Sequence, residues 1–273
     1  MNMKHPIAAL IATLGTAASL LLFSSAALSQ AWPVPAVKKS PVDTPMRVLF
    51  AGSSLLYYNG GLQTHTHRMA LVAPQPLDLR PGFTSVHITT GALHHYPLEH
   101  YLIPASLDKK EPFQVVVLGG NFRDGMTEAG RAKYRETVIK FDALIKKHGG
   151  RTALYWLLPH GKPGGPMPAA ELRRHLDEMV MSVGNEVGAF VLPIGLAFQE
   201  AYRQRPGIKL QVDYDEYHPT LAGQYMASAV VYASLYERSP VGNPYNYFGA
   251  IDKDTLAFIQ KIAYETTQKF YGR

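Results

Sequence analysis

The chain has 273 residues, a formal net charge of +6 and no cysteine. That length allows one large domain or two small ones, and the missing cysteine excludes a disulfide framework and any Cys-based metal or redox site. The basic residues form scattered pairs such as Lys109-Lys110, Lys146-Lys147 and Arg173-Arg174; these read as solvated faces, not as the footprint of a nucleic-acid partner.

Lys4 precedes an apolar run over residues 6–27 that ends in small residues up to Ala31. This is the charged, apolar, small-residue order of a secretory signal peptide over residues 1–31, cut after Ser29 or after Ala31. An uncleaved anchor helix is the alternative, because the run is nearly long enough to cross a bilayer; the small residues at its end favour cleavage. No Cys follows, which excludes a lipoprotein anchor, and no later stretch reaches 18 uninterrupted apolar residues. The expectation is a periplasmic or secreted protein with no stable membrane insertion after cleavage. Without disulfides the fold must rest on its own core, which about 240 residues can supply.

Residues 32–45, rich in Pro and Lys, read as a linker. A strand over 46–51 follows, then the turn residues Tyr57-Tyr-Asn-Gly-Gly61 and a helix over 62–72 that Pro74 and Pro76 end. Alternation in Ser85-Val-His-Ile-Thr89 predicts a second strand, and Gly91 to Tyr96 lead into a short helix over 98–107. Phe113-Gln-Val-Val-Val-Leu118 is the clearest buried strand, followed by a helix over 127–148 that stops at Gly149-Gly150. A fourth strand over 152–158, a Gly/Pro-rich loop over 159–168, a helix over 169–187, a short strand over 189–192 and a helix over 194–202 come next. Helices over 221–236 and 252–270 close the chain. Strands alternating with helices predict an α/β fold, a mainly parallel sheet covered on both faces, in one domain over 46–273.

Polar residues recur where strands end, which is where open α/β sheets bind ligands. Gly52 lets the backbone turn and expose the hydroxyl of Ser53 or Ser54, either of which chemistry alone would accept as a nucleophile. A serine hydroxyl needs a base, and a histidine base needs a carboxylate to fix its tautomer; Asp215 and His218, three residues apart, supply both. Backbone N–H groups at Ser54 and Gly91 and the amide of Asn121 could stabilise an oxyanion, each such donor being worth about 2.7 to 4 kcal/mol.

These residues, in this order, resemble the SGNH (GDSL-like) hydrolases. The matching blocks are Gly52-Ser53-Ser54, Gly91, Gly119-Gly120-Asn121 and Asp215-Glu-Tyr-His218-Pro-Thr-Leu-Ala-Gly223, the last being the most specific and Gly91 the loosest. The resemblance implies a three-layer α/β/α sandwich of SGNH/flavodoxin-like type, with Ser54 as nucleophile, His218 as base, Asp215 as its orienter, and Ser54, Gly91 and Asn121 as oxyanion donors. Its Gly-x-Ser register favours Ser54 over Ser53. Two positions depart from the pattern: Ser53 stands where Asp or Asn is usual, and Phe122 where Asp is frequent after the Asn.

Each residue has a plainer reading. Ser54 alone would be a turn serine, Asn121 an Asx-turn residue and Gly91 a turn glycine; the constellation argues for the chemistry. His65, His67, His94, His95 and His100 invite a metal site, yet lack a zinc-enzyme spacing; His65 and His67 are expected on a helix surface, and His94, His95 and Tyr96 at the mouth of the pocket. Tyr57, Tyr58, Tyr96, Tyr155, Trp156 and Tyr217 fall beside the site as core or wall, some able to stack on a sugar or acyl group. The expected activity is hydrolysis of a carboxylic ester, such as O-acetyl on a glycan, through an acyl-enzyme with no cofactor and no metal. The partner is a small-molecule or glycan ester; nothing in the sequence sets an oligomeric state. An O-acyltransferase with the same triad and a non-catalytic glycan-binding protein are the rivals.

Overall fold

Short runs rich in Val, Leu, Ala and Phe pair side by side because they bury both faces, the pattern of a parallel sheet, and the alternating run after Thr84 joins them at an edge, half-buried. In the computed structural model, which describes residues 32–77, 79, 84–89, 91–158, 167 and 169–273, these runs are β1 (Arg47–Gly52), β2 (Thr84–Thr89), β3 (Val115–Gly119), β4 (Arg151–Tyr155) and β5 (Phe190–Leu192). They form one sheet in the order β2-β1-β3-β4-β5, every pair parallel. β3, at its centre, is buried at all five positions.

The helices are α1 (Leu62–Val72), α2 (Leu98–Leu102), α3 (Glu128–Lys147), α4 (Ala169–Val187), α5 (Ile194–Gln204), α6 (Leu221–Leu235) and α7 (Lys253–Tyr271). α1, α5, α6 and α7 pack on one another, as do α2, α3 and α4, and the two groups make the outer layers of an α/β/α sandwich. α6 is buried from Gly223 to Leu235, as expected of a helix apolar on all sides. Its entry is tight: a Cβ on Gly223 would stand 2.0 Å from the Leu210 carbonyl oxygen.

Four expectations meet local differences. The helix expected over 98–107 divides into α2 and a 3₁₀ turn over Pro104–Leu107, because Pro104 forces Ile103 to an extended backbone, φ −78° and ψ 113°. The fourth strand ends at Tyr155, not at Leu158, since its neighbour β5 ends at the paired Leu192; Trp156 to Leu158 stay buried. His65 is fully buried, not on the surface, because its side of α1 packs on α6 and Tyr225. The segment 33–45 has no helix or strand, yet it belongs to the compact unit Pro33–Arg273: Asn185 bonds the backbone of Val34 and Ala36, and Tyr236 that of Pro45. Residues 1–31 and most of the 159–168 loop lie outside the described residues. No described helix is long and apolar enough to cross a membrane.

Candidate active site

The strand order reverses direction between β1 and β3, and the crevice at their carboxyl ends is the ligand position of such sheets. Gly52 and Gly119 pair there. A Cβ on Gly52 would lie 2.8 Å from the Gly119 oxygen, and one on Gly119 would lie 2.5 Å from Leu56 Cδ1. Two glycines therefore let Leu56 fold back over the strand ends, and the chain turns at once into a 3₁₀ turn over Ser54–Leu56. Ser54 opens that turn, so its N–H has no partner within the turn itself.

The two serines separate. Ser53 is buried and its hydroxyl donates to the Gly120 carbonyl at 3.1 Å. Ser54 Oγ lies 2.6 Å from His218 Nε2, and His218 Nδ1 lies 2.6 Å from Asp215 Oδ2. The other Asp215 oxygen accepts from the N–H groups of Tyr217 at 2.9 Å and His218 at 3.0 Å. Burial alone would raise the Asp215 carboxyl; the bonds from the His218 ring and these N–H groups outweigh it and hold the carboxyl below its ordinary 3.8. An ionised Asp215 accepting from Nδ1–H leaves Nε2 as the acceptor for the Ser54 hydroxyl.

The turn that carries the pair is pinned at its base. Val212 N–H donates to the His218 carbonyl at 2.9 Å, Thr220 N–H donates to the Leu210 carbonyl at 2.9 Å, and Gln211 reaches the Glu216 carbonyl from its side chain at 3.0 Å. Glu216 takes a left-handed backbone, φ 52°. Thr220 then caps α6 by accepting from Gly223 N–H at 3.2 Å.

Asn121 follows β3. Its Nδ2 donates to the Gly91 carbonyl at 3.3 Å, so the two suspected oxyanion residues are neighbours. Its Oδ1 accepts from Arg123 N–H at 3.0 Å, while Asp124 returns a bond from the Asn121 N–H at 2.7 Å. This reciprocal cap fixes the amide in place. At Gly91 the backbone φ is not positive, and an added Cβ would meet nothing within 4 Å. Neither conformation nor packing among the described residues demands a glycine there.

No family model matches the chain, and no curated protein does. Solved structures do. A DUF4886 family protein from Bacteroides uniformis superposes with a TM-score of 0.62 at 15% identity, over 81% of this chain and 93% of that one. A protein described as an SGNH hydrolase, from Slackia heliotrinireducens, gives 0.50 at 18% identity, over 70% and 99%. A mutant of Axe2, an acetyl-xylooligosaccharide esterase from Geobacillus, gives 0.53 at 14% identity, over 71% and 95%. The chain has the SGNH hydrolase fold.

Within that SGNH fold, all five residues singled out in the sequence lie at or beside one crevice. The departures are compensated locally. Ser53 makes the buried bond to Gly120, and Phe122 packs its ring on the buried Tyr217, centroids 4.5 Å apart, joining the Asn121 loop to the Asp215–His218 turn. Asp124, two residues further on, accepts from the Asn121 N–H. Sequence reasoning missed Asp124, and also Asn59, whose Nδ2 donates to the Pro219 carbonyl beside His218; the Asn-x-x-Asp spacing of 121 and 124 was a legible capping signal. Tyr96 does not line an open mouth: it is buried, with its hydroxyl on the Gly52 carbonyl. His94 and His95 are exposed, and no group of three or more His, Asp or Glu able to hold a metal stands together among the described residues.

Proposed function

We propose that the protein is a serine ester hydrolase working through an acyl-enzyme on Ser54. The observation that carries this reading is the unbroken line of contacts from Ser54 Oγ to His218 Nε2 and from His218 Nδ1 to Asp215, 2.6 Å at each step. As Ser54 Oγ bonds to the ester carbonyl carbon, its proton passes to Nε2, and Asp215 stabilises the imidazolium. The negative charge that grows on the carbonyl oxygen is met by Asn121 Nδ2 and the N–H groups of Ser54 and Gly91. Collapse breaks the bond to the alcohol oxygen, which takes the proton from Nε2. A water then gives a proton to Nε2 and its oxygen to the acyl carbon; collapse breaks the bond to Ser54 Oγ, which takes the proton back from Nε2 as the acid leaves.

The substrate class proposed is an O-acylated glycan. Tyr57, in the turn after the nucleophile, and Tyr214, bonded to Tyr58 and next to Asp215, expose 45% and 66% of their surface, and tyrosine faces with a polar tip suit a sugar; one structural neighbour is itself described as an acetyl-xylooligosaccharide esterase. Export rests on the leader pattern of residues 1–31.

The test is hydrolysis of p-nitrophenyl acetate, with intact mass after a fluorophosphonate, for the wild type, Ser54→Ala and Ser53→Ala. The wild type and Ser53→Ala should turn over and gain one phosphonyl group, and Ser54→Ala should do neither. Labelling that survives Ser54→Ala would remove Ser54 as nucleophile. Product that shifts to a new ester when a sugar alcohol is added would make the enzyme a transferase.

A further inference from the structure

The residues just after the nucleophile turn reach back to the base. The Tyr58 ring stacks on the His218 imidazole, with centroids 4.3 Å apart and planes 21° apart. Its hydroxyl is hydrogen-bonded to that of Tyr214, the residue before Asp215. Asn59 Nδ2–H donates to the carbonyl of Pro219 at 2.7 Å, the residue after His218. Two adjacent side chains thus hold the Asp215–His218 turn at both ends and across its imidazole.

This dipeptide adopts a conformation that needs outside support. Asn59 is left-handed, φ 45° and ψ 50°, a cost for a residue with a side chain that surrounding contacts must offset, while Gly60 and Gly61 take positive φ without one. The support comes from a buried group with no part in the triad: His65 Nε2–H donates to the Asn59 carbonyl at 2.8 Å, and His65 Nδ1 lies 3.0 Å from the Tyr245 hydroxyl. Burial keeps His65 neutral by lowering its pKa, which suits one donating and one accepting nitrogen.

We propose that Tyr58 and Asn59 are positioning residues that hold His218 in register with Ser54, an inference that rests on the esterase reading above. Asp215 and Ser54 hold the two ring nitrogens in the plane of the imidazole and leave its faces to packing. Tyr58 covers one face, and Tyr217 meets the ring edge-on, centroids 5.1 Å apart. Asn59 fixes the backbone from which the ring hangs. The electron-rich face of Tyr58 also favours the imidazolium formed in each half-reaction. Among the described residues, Ser54, Asp215, Tyr58 and Tyr217 contact the ring, and Tyr214 holds Tyr58.

The experiment compares Tyr58→Leu, Tyr58→Phe and Asn59→Gly with the wild type in kcat and KM on p-nitrophenyl acetate, and in the proton resonance of His218 Cε1–H. Tyr58→Leu should lower kcat about tenfold to a hundredfold at unchanged KM, the scale of a misplacement near 1 Å, and Tyr58→Phe should restore most of that loss. The His218 resonance should lie upfield in the wild type and in Tyr58→Phe, through the ring current, and move downfield in Tyr58→Leu. Wild-type kcat in a folded Tyr58→Leu, or a resonance that does not move, overturns the proposal. Asn59→Gly keeps a left-handed backbone and removes only the amide, so it carries the kinetic test if Tyr58→Leu does not fold; it should lower kcat and spare KM. A wild type that neither labels nor turns over sinks the esterase reading instead, while the resonance still decides whether Tyr58 holds the ring.

Discussion

Asp215→Asn should leave a folded protein with almost no activity. Two backbone donors, the N–H groups of Tyr217 and His218, converge on one Asp215 oxygen at 2.9 and 3.0 Å. In the variant they retain the amide oxygen, so the NH₂ takes the place of Oδ2 and faces His218 Nδ1. Nδ1 must then accept, the proton moves to Nε2, and Nε2–H points at Ser54 Oγ where a base is needed. The wrong tautomer in a Ser-His-Asp relay costs about 10⁴ in kcat, or about 5 kcal/mol of barrier. Stability falls modestly, because all three bonds to the side chain survive but lose their charge assistance, a total loss of about 1 to 3 kcal/mol. Steady-state kcat and a thermal melt, both near pH 7, measure the two effects. A folded variant with kcat within tenfold of the wild type would refute the reasoning. The melt also has a sign in pH. The Asp215 carboxyl is held below 3.8 in the fold, so its contribution to stability is full above that pH and is lost as pH falls through the folded value. The difference between wild type and Asp215→Asn should shrink in the same direction.

Asn121→Ala should lower kcat by about 10² to 10³ at nearly constant KM, the cost of one oxyanion donor, and should lose about 1 kcal/mol of stability with the cap on Arg123; an unchanged kcat would leave Asn121 a turn residue only. Asp177 accepts from Trp156 Nε1–H at 2.6 Å, and burial, partly offset by the bonds from Trp156 and Gln199, pushes its carboxyl up to about 6. A raised carboxyl makes stability fall as pH rises from about 4 to about 6. Asp177→Asn, which can still accept from Trp156, should therefore melt higher than the wild type at pH 7.5 and no higher at pH 4, and equal melts at both pH values would refute the shift.

The sandwich was legible because its strands and helices carry strong periods. Val115 to Leu118 is apolar at every position, as a doubly covered strand must be, and α3 and α7 show one apolar face each. Boundaries were less legible where a neighbour set them: β4 stops because β5 stops, which no property of residues 156–158 announces. His65 was misread because a polar residue on an amphipathic helix is normally outward, and only the packing of α1 on α6 and Tyr225 turns it inward. At the site, Ser54, Asp215 and His218 stood out by type, order and spacing. Tyr58 was legible as a wall residue but not as a partner of His218, and Asn59 was not legible at all, because both roles depend on what they touch across the crevice; Asp124 was overlooked although its spacing from Asn121 announces a cap.

The local chemistry is legible in the residues alone: a glycine-permitted turn after an apolar strand, an Asp and a His three residues apart ahead of a helix cap, and no thiol. These follow from backbone sterics and from the chemical types of side chains, which are properties of single residues and near neighbours. Residue chemistry alone left two adjacent serines open and the Gly-x-Ser register favoured Ser54; what brings Ser54 to the base is the fold. Ser53 and Ser54 are chemically identical, and what separates them is that one hydroxyl meets the Gly120 carbonyl and the other meets an imidazole 164 residues away. Such contacts are set by strand order and packing, because residues remote in sequence meet at a strand end only when the whole sheet is assembled.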